Sequence, residues 1–173
     1  VQNKQKIILM EGPDKVGKST IAKELSKVLD IPYFKFTAHD YWDKSEYELA
    51  TKFDQPFLAE LLRQTGYSMI IDRGYPSEYA YGKTFNRNVD LDLIGKLDKM
   101  FSNLNTTIVY CEKVNNEEKD ERFDIDKYNM LKFNYTQFFI VTKCKHIYLD
   151  TTDQDLNKQV KEITERLKEI YNE

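Results

Sequence analysis

The segment Gly12-Pro13-Asp14-Lys15-Val16-Gly17-Lys18-Ser19-Thr20 carries two glycines, a lysine and two hydroxyls in the order G-x-x-x-x-G-K-[ST], just after the apolar run Ile7 to Met10. Those residue types at that spacing make a phosphate cradle. Gly12 and Gly17 permit backbone conformations that turn successive N–H groups toward phosphate oxygens, and the helix expected from Lys18 adds the positive end of its dipole. Pro13, Asp14, Lys15 and Val16 complete the loop. Lys18 is expected to bridge the β and γ phosphates of a nucleoside triphosphate, Ser19 to place its hydroxyl on Mg2+, and Thr20 to bond the α phosphate. The cofactors expected from this loop are ATP and Mg2+.

A second group lies at Ile71-Asp72-Arg73-Gly74-Tyr75-Pro76-Ser77. A carboxylate at a strand end beside the cradle can hold a metal-bound water or take the proton of an acceptor hydroxyl. The adjacent guanidinium can clamp an acceptor phosphate bidentately. Asp72 and Arg73 are therefore the candidate acceptor-side pair. A GTPase is disfavoured, because the chain has no N-K-x-D and, outside the cradle itself, no D-x-x-G following a strand.

These groups need a scaffold, and the hydrophobic pattern supplies one. Short β-rich runs are expected at Lys6 to Met10, Tyr33 to Thr37, Ser68 to Asp72, Thr106 to Cys111 and His146 to Asp150, mostly continuous as for strands buried on both faces. Helical periodicity falls over Lys18 to Leu29, Leu91 to Leu104, Asp126 to Phe139 and from about Gln154 onward. A further helical region opens with a capping box at Ser45-x-x-Glu48 and is split near Pro56. Asp54 is expected to cap its second part and Gly66 to end it. Strands alternating with helices imply an α/β, three-layer, doubly wound fold with a five-stranded parallel sheet in one domain, residues 1–173. Ligands of such sheets bind beyond the carboxyl ends of the strands, where both groups lie.

Glu11-Gly12-Pro13-Asp14-Lys15-Val16-Gly17-Lys18-Ser19-Thr20 resembles the E-G-x-D-[RK]-x-G-K-S-T start of thymidylate kinases. Asp72-Arg73-x-x-x-Ser77-x-x-Ala80-Tyr81 is similar to their D-R-[YH]-x-x-S-x-x-A-[YF] segment, of which deoxynucleoside kinases share a looser form. The resemblance implies that Asp14 contacts the sugar 3′-hydroxyl of an acceptor monophosphate and that Lys15 stands near the transferred phosphoryl group. It implies that Asp72 and Arg73 handle the acceptor phosphate with its proton or metal shell, and that Ser77 and Tyr81 line the base pocket. Gly74 departs from the usual Tyr or His, Gly82 stands where many members have Gln, and Thr37-Ala38-His39-Asp40 replaces their R-E-P-G-G. Thymine selectivity is therefore not implied. His39 and Asp40 follow a strand, but a lone His there is more often structural.

After the fourth strand, the charged, aperiodic stretch about 113–124 is expected to form a short lid that excludes water during transfer. Arg122 is its candidate catalytic residue and Lys119 a weaker one. Asp150-Thr151-Thr152, after the fifth strand, is placed near the adenine by position alone.

Composition bounds the rest. The 173 residues, 40% of them hydrophobic, suffice for one core that buries roughly two-thirds of the unfolded surface. No apolar run approaches the ~20 residues of a membrane span, and no signal peptide is evident, so a cytoplasmic protein is expected. Cys111 and Cys144 are expected to be reduced core thiols. A net charge of −3 disfavours a general nucleic-acid surface. The expected function is ATP-dependent phosphorylation of a nucleotide, a deoxynucleoside 5′-monophosphate by preference. A nucleoside or nucleic-acid hydroxyl as acceptor, a non-catalytic nucleotide-binding regulator, and a homodimer remain open.

Overall fold

A computed structural model describes residues 5–35, 50–114 and 124–172. Five strands, β1 (Ile7–Glu11), β2 (Tyr33–Lys35), β3 (Met69–Asp72), β4 (Thr106–Glu112) and β5 (Lys145–Asp150), form one sheet in the order β2-β3-β1-β4-β5. Every pairing is parallel. The helices are α1 (Lys18–Leu29), α2 (Gln55–Thr65), α3 (Tyr75–Thr84), α4 (Leu91–Asn103), α5 (Ile125–Val141) and α6 (Leu156–Tyr171). This is the α/β doubly wound architecture expected from the alternating pattern.

The two-residue period of the central strands sorts the core into two layers. Ile8 and Met10 of β1 pack with Ile21 and Leu25 of α1 and with Val160, Ile163 and Leu167 of α6. Ile7 and Leu9 face the other way, onto Leu58 and Leu62 of α2, Leu97 and Phe101 of α4, and Phe138 of α5. β1 and β4 are buried throughout, whereas the edge strands are not: in β5 only Ile147 and Leu149 are buried. The expectation of continuously buried strands fails at the edges because one flank there has no neighbouring strand and is only partly covered by helix.

Two local expectations are corrected. Asp54 does not cap α2; a π-helical turn at Ala50–Asp54 runs straight into the helix, so Asp54 is itself helical (φ −72°, ψ −40°) and makes no side-chain cap. Pro56 does lie in the first turn, and Gly66, at φ 69°, closes the helix with its N–H on the Leu62 carbonyl. Helix α3 has no counterpart among the elements expected from the pattern. It buries Tyr75, Pro76, Ala80, Gly82 and Thr84, residues that surround the helix rather than mark one stripe, so no amphipathic period announces it. The Ser45-x-x-Glu48 capping box lies outside the described residues, as do residues 36–37 of the second expected strand.

Candidate active site

The central strand β1 delivers the chain to the carboxyl edge of the sheet, and the loop from Gly12 to Gly17 turns over that edge into α1. Gly12 has φ 133°, and a Cβ there would stand 2.1 Å from the Cys111 carbonyl oxygen of β4, so only glycine fits between loop and sheet. Gly17, at φ 88°, accepts the first helical hydrogen bonds from Thr20 and Ile21, both 3.1 Å. Val16 is buried in the core and anchors the loop, while Lys15, at φ 60°, is exposed. The six-residue loop thus has positive φ at Gly12, Lys15 and Gly17, backbone of the kind that turns successive N–H groups inward in a phosphate cradle.

Lys18 is buried, and its ammonium donates to the Pro13 carbonyl across the loop. Burial, reinforced by the Arg73 charge, lowers its pKa to about 7. A phosphate oxygen offers the missing counter-charge and would replace the weaker carbonyl partner. Ser19 Oγ donates to Asp72 Oδ2 at 2.5 Å, and Tyr33 Oη donates to the same oxygen at 2.9 Å. Asp72 is 1% exposed, and its other oxygen, Oδ1, is buried with no hydrogen-bond partner among the described residues. A hydroxyl beside a carboxylate with an unused oxygen, at the foot of a phosphate cradle, is a donor set that suits Mg2+. Among the described residues no group of three or more His, Cys, Asp or Glu could hold a metal by itself, so phosphate oxygens and water would have to complete its shell.

On the other side of the loop stands Arg73, at φ 72°, its N–H bonded to the Met10 carbonyl as β3 ends. Its guanidinium bonds the Gly12 carbonyl (3.2 Å), Ser77 Oγ (3.1 Å) and Tyr81 Oη (3.3 Å) and forms an ion pair with Asp14. It also lies 5.1 Å from the centroid of the Tyr81 ring. Burial works against its charge, but Tyr81, Tyr135, Asp14 and Glu11 more than offset this, so its pKa is raised. Asp14, Arg73, Ser77 and Tyr81, expected from separate motifs, therefore meet in one cluster.

Several groups in the site were not among the candidates. Glu11, fully buried, accepts from the Gly74 N–H (2.8 Å), Ser77 Oγ (2.5 Å) and Tyr135 Oη (3.2 Å). Burial raises its pKa to about 7, against the opposing effects of the Ser77 hydrogen bond and the Arg73 and Lys18 charges. Its signal was available: a charged residue closing an otherwise apolar strand. Tyr33 and Tyr135 gave none beyond positions that read as core. Lys35 of β2, in register with Asp72, brings its Nζ within 3.5 Å of Ser19 Oγ. Arg122 and Lys119, like His39 and Asp40, lie outside the described residues, as does most of the expected lid. Thr151 is buried, its N–H on the Glu112 carbonyl, at the carboxyl end of β5. Cys111 and Cys144 are buried and unpaired; burial pushes the Cys111 thiol up to about 12.

The sequence matches no protein-family profile and no curated protein. The fold does have solved counterparts. The YorR protein of Bacillus subtilis, solved with phosphorylated GDP, is 19% identical with a TM-score of 0.68, over 96% of this chain and 98% of that one. A deoxyadenosine kinase from M. mycoides with bound dCMP is 20% identical with a TM-score of 0.58, over 94% and 99%. Thymidylate kinase from Ehrlichia chaffeensis is 18% identical with a TM-score of 0.55, over 96% and 100%. The chain thus has the P-loop fold of nucleoside and nucleotide kinases.

Proposed function

We propose that this chain is a phosphotransferase that moves the γ-phosphoryl group of ATP to a deoxynucleoside 5′-monophosphate. The observation that carries the reading is the fixed position of Arg73. It stands one residue beyond Asp72, holds the P-loop carbonyl of Gly12, and is locked by Asp14, Ser77 and Tyr81. Nucleotide binding alone does not require a guanidinium on that side of the loop, whereas a second phosphate does. The nucleotide and nucleoside kinases that share the fold support an acceptor of this class.

In this reading the loop N–H groups and the α1 terminus bind the triphosphate, Lys18 holds its β and γ oxygens, and Thr20 bonds the α phosphate. Ser19 and Asp72 hold Mg2+, which supplies charge neutralisation to the triphosphate when bound. Lys15, at the exposed tip of the loop, offsets negative charge on the transferred group. Asp14 bonds the acceptor sugar, and Arg73 binds its phosphate. Ser77 and Tyr81 line the base pocket. Catalysis is then positioning and charge stabilisation, with no covalent intermediate. Arg122 is assigned to the phosphates as expected from the sequence. The two unpaired, buried thiols fit a reducing compartment such as the cytoplasm.

A coupled assay of ADP release with ATP, Mg2+ and each natural deoxynucleoside monophosphate tests the proposal, with Lys18→Ala as background and Arg122→Ala beside it. The expected result is monophosphate-dependent ADP release that Lys18→Ala abolishes. Release with nucleosides alone would move the acceptor one phosphate back, and tight ATP binding without release would make the chain a regulator; either overturns the reading.

A further inference from the structure

We infer that Glu11 is a positioning residue for the acceptor phosphate: as a carboxylate it holds the Arg73 guanidinium in place through Ser77. The inference rests on the acceptor role of Arg73 proposed above.

A count of hydrogens carries it. Ser77 Oγ has one hydrogen to give and two lone pairs to offer. It donates to Glu11 Oε2 at 2.5 Å, accepts from Arg73 Nη1 at 3.1 Å, and lies 2.9 Å from Tyr135 Oη. The hydroxyl is thus fully engaged within the protein and has no hydrogen-bonding capacity left for a base. Among the described residues Glu11 in turn faces donors alone: the Gly74 N–H at 2.8 Å, Ser77 Oγ, and Tyr135 Oη at 3.2 Å. Gly74 immediately precedes α3, whose N-terminus favours a negative charge there. These contacts suit the ionised carboxylate, which only accepts.

The direction of the bonds decides how Arg73 is held. Its Nη1 is fixed by the Gly12 carbonyl and Ser77, whereas Nη2 faces Tyr81 and Asp14, the latter with a side chain 33% exposed. An acceptor phosphate can reach the Nη2 edge, with the guanidinium between it and Glu11. Protonation of Glu11 would set a second hydrogen against that of Ser77. The serine hydroxyl must then reorient, its hold on Nη1 weakens, and the negative charge that attracts the guanidinium is lost. Burial raises the Glu11 pKa to about 7, so ordinary buffers span the change. The groups that face it are Lys18 of α1, Arg73 after β3, Tyr81 of α3, Tyr110 and Cys111 of β4, and Tyr135 of α5. Burial raises the three phenols and the thiol, which stay neutral in such buffers, and Arg73 stays charged. Among these groups only Lys18 shares the window, and a bound triphosphate keeps it charged.

The test is equilibrium binding of dGMP, dAMP, dCMP and dTMP to the full chain saturated with a non-hydrolysable ATP analogue and Mg2+, at pH 6 and pH 8. KM for acceptor and for ATP is measured alongside, for wild type, Glu11→Gln and Ser77→Ala. Glu11→Gln keeps the shape of the carboxyl but turns hydrogens toward Ser77, as the protonated form does. The tightest-binding monophosphate should bind it about tenfold more weakly than wild type at pH 8 and only about twofold more weakly at pH 6, while KM for ATP changes less than about threefold. The acceptor phosphate itself titrates at about pH 6, but alike in both proteins, so the ratio between them reports Glu11. Ser77→Ala, which leaves the carboxylate in place, should also bind the acceptor more weakly at pH 8 and lose most of the pH dependence, and it decides the matter if Glu11→Gln does not fold. A ratio that is the same at both pH values, or losses shared equally by acceptor and ATP, would make Glu11 a structural support and overturn the inference, while monophosphate turnover in the same samples leaves the phosphotransfer proposal standing. Acceptor binding whose pH dependence Glu11→Gln levels, without turnover of any monophosphate, would sustain the inference and overturn that proposal.

Discussion

Ser19 Oγ lies 2.5 Å from Asp72 Oδ2, which also accepts from Tyr33, so one carboxylate oxygen is saturated by hydroxyls while Oδ1 is buried without a partner among the described residues. A buried, unused carboxylate oxygen is costly unless something binds it. The arrangement makes sense as half of a cation shell. Asp72→Asn keeps the shape and removes the charge. In the wild type, Mg2+ should raise the melting-temperature increment given by ATP; in Asp72→Asn that extra increment should vanish, with affinity for Mg-ATP about 10- to 100-fold weaker, as expected for a lost charged hydrogen-bonding partner. An undiminished metal effect in the variant would remove Asp72 from the metal site.

Two buried groups tie the site to pH. Lys18 is lowered from 10.5 to about 7, so between those values the unfolded chain holds a proton that the folded chain has lost, and stability rises with pH through that window. Glu11 is raised from 4.5 to about 7, so its contribution is full below 4.5 and is lost as pH rises toward 7. The nucleotide-free protein should therefore show its smallest contribution from these groups near pH 7. Binding of triphosphate restores charge to Lys18. Calorimetry at pH 8 in buffers of different ionisation enthalpy should show uptake of up to one proton per ATP, absent in Lys18→Met. A binding enthalpy independent of buffer would refute this.

Arg73→Lys separates charge from geometry. A lysine keeps the positive charge but cannot span the Gly12 carbonyl, Ser77, Tyr81 and Asp14 at once. KM for the acceptor should rise about 10- to 100-fold, the equivalent of about 1.5–3 kcal/mol. ATP affinity should change less than threefold, because the triphosphate side of the loop is untouched. Equal losses for both substrates would mean that Arg73 serves the loop as a whole.

The periodic elements were readable because the residues that pack the sheet repeat at the spacings of strand and helix. Ile7 to Met10 and the α6 series Leu156, Val160, Ile163 and Leu167 are cases in point. Helix α3 escaped because it is covered on several sides, and Asp54 misled because a π-helical turn upstream was already helical. In the site, the P-loop and Asp72-Arg73 were legible since their chemistry demands fixed residue types at short spacing. Glu11 joins them through Gly74, Ser77 and Tyr135, which are 63, 66 and 124 residues away. Such a cluster exists only once the chain is folded. Tyr33 reaches Asp72 across the β2–β3 register for the same reason.

Two glycines should respond to alanine in opposite directions. At Gly12 the new methyl would meet the Cys111 carbonyl at 2.1 Å, in a backbone with φ 133° that alanine rarely adopts. Both loop and sheet would have to move. Gly12→Ala is expected to cost at least about 2 kcal/mol and to abolish the ATP-induced melting shift. Gly95 lies exposed inside α4, where an added Cβ meets nothing within 4 Å. Gly95→Ala should stabilise the protein by about 0.5–1 kcal/mol, since alanine has less backbone freedom to lose in a helix. Urea titrations of both variants check this pair. A Gly12→Ala protein with wild-type stability and ATP response would mean that the loop does not rest on β4 as described. A destabilised Gly95→Ala would mean that the outer face of α4 is covered in solution.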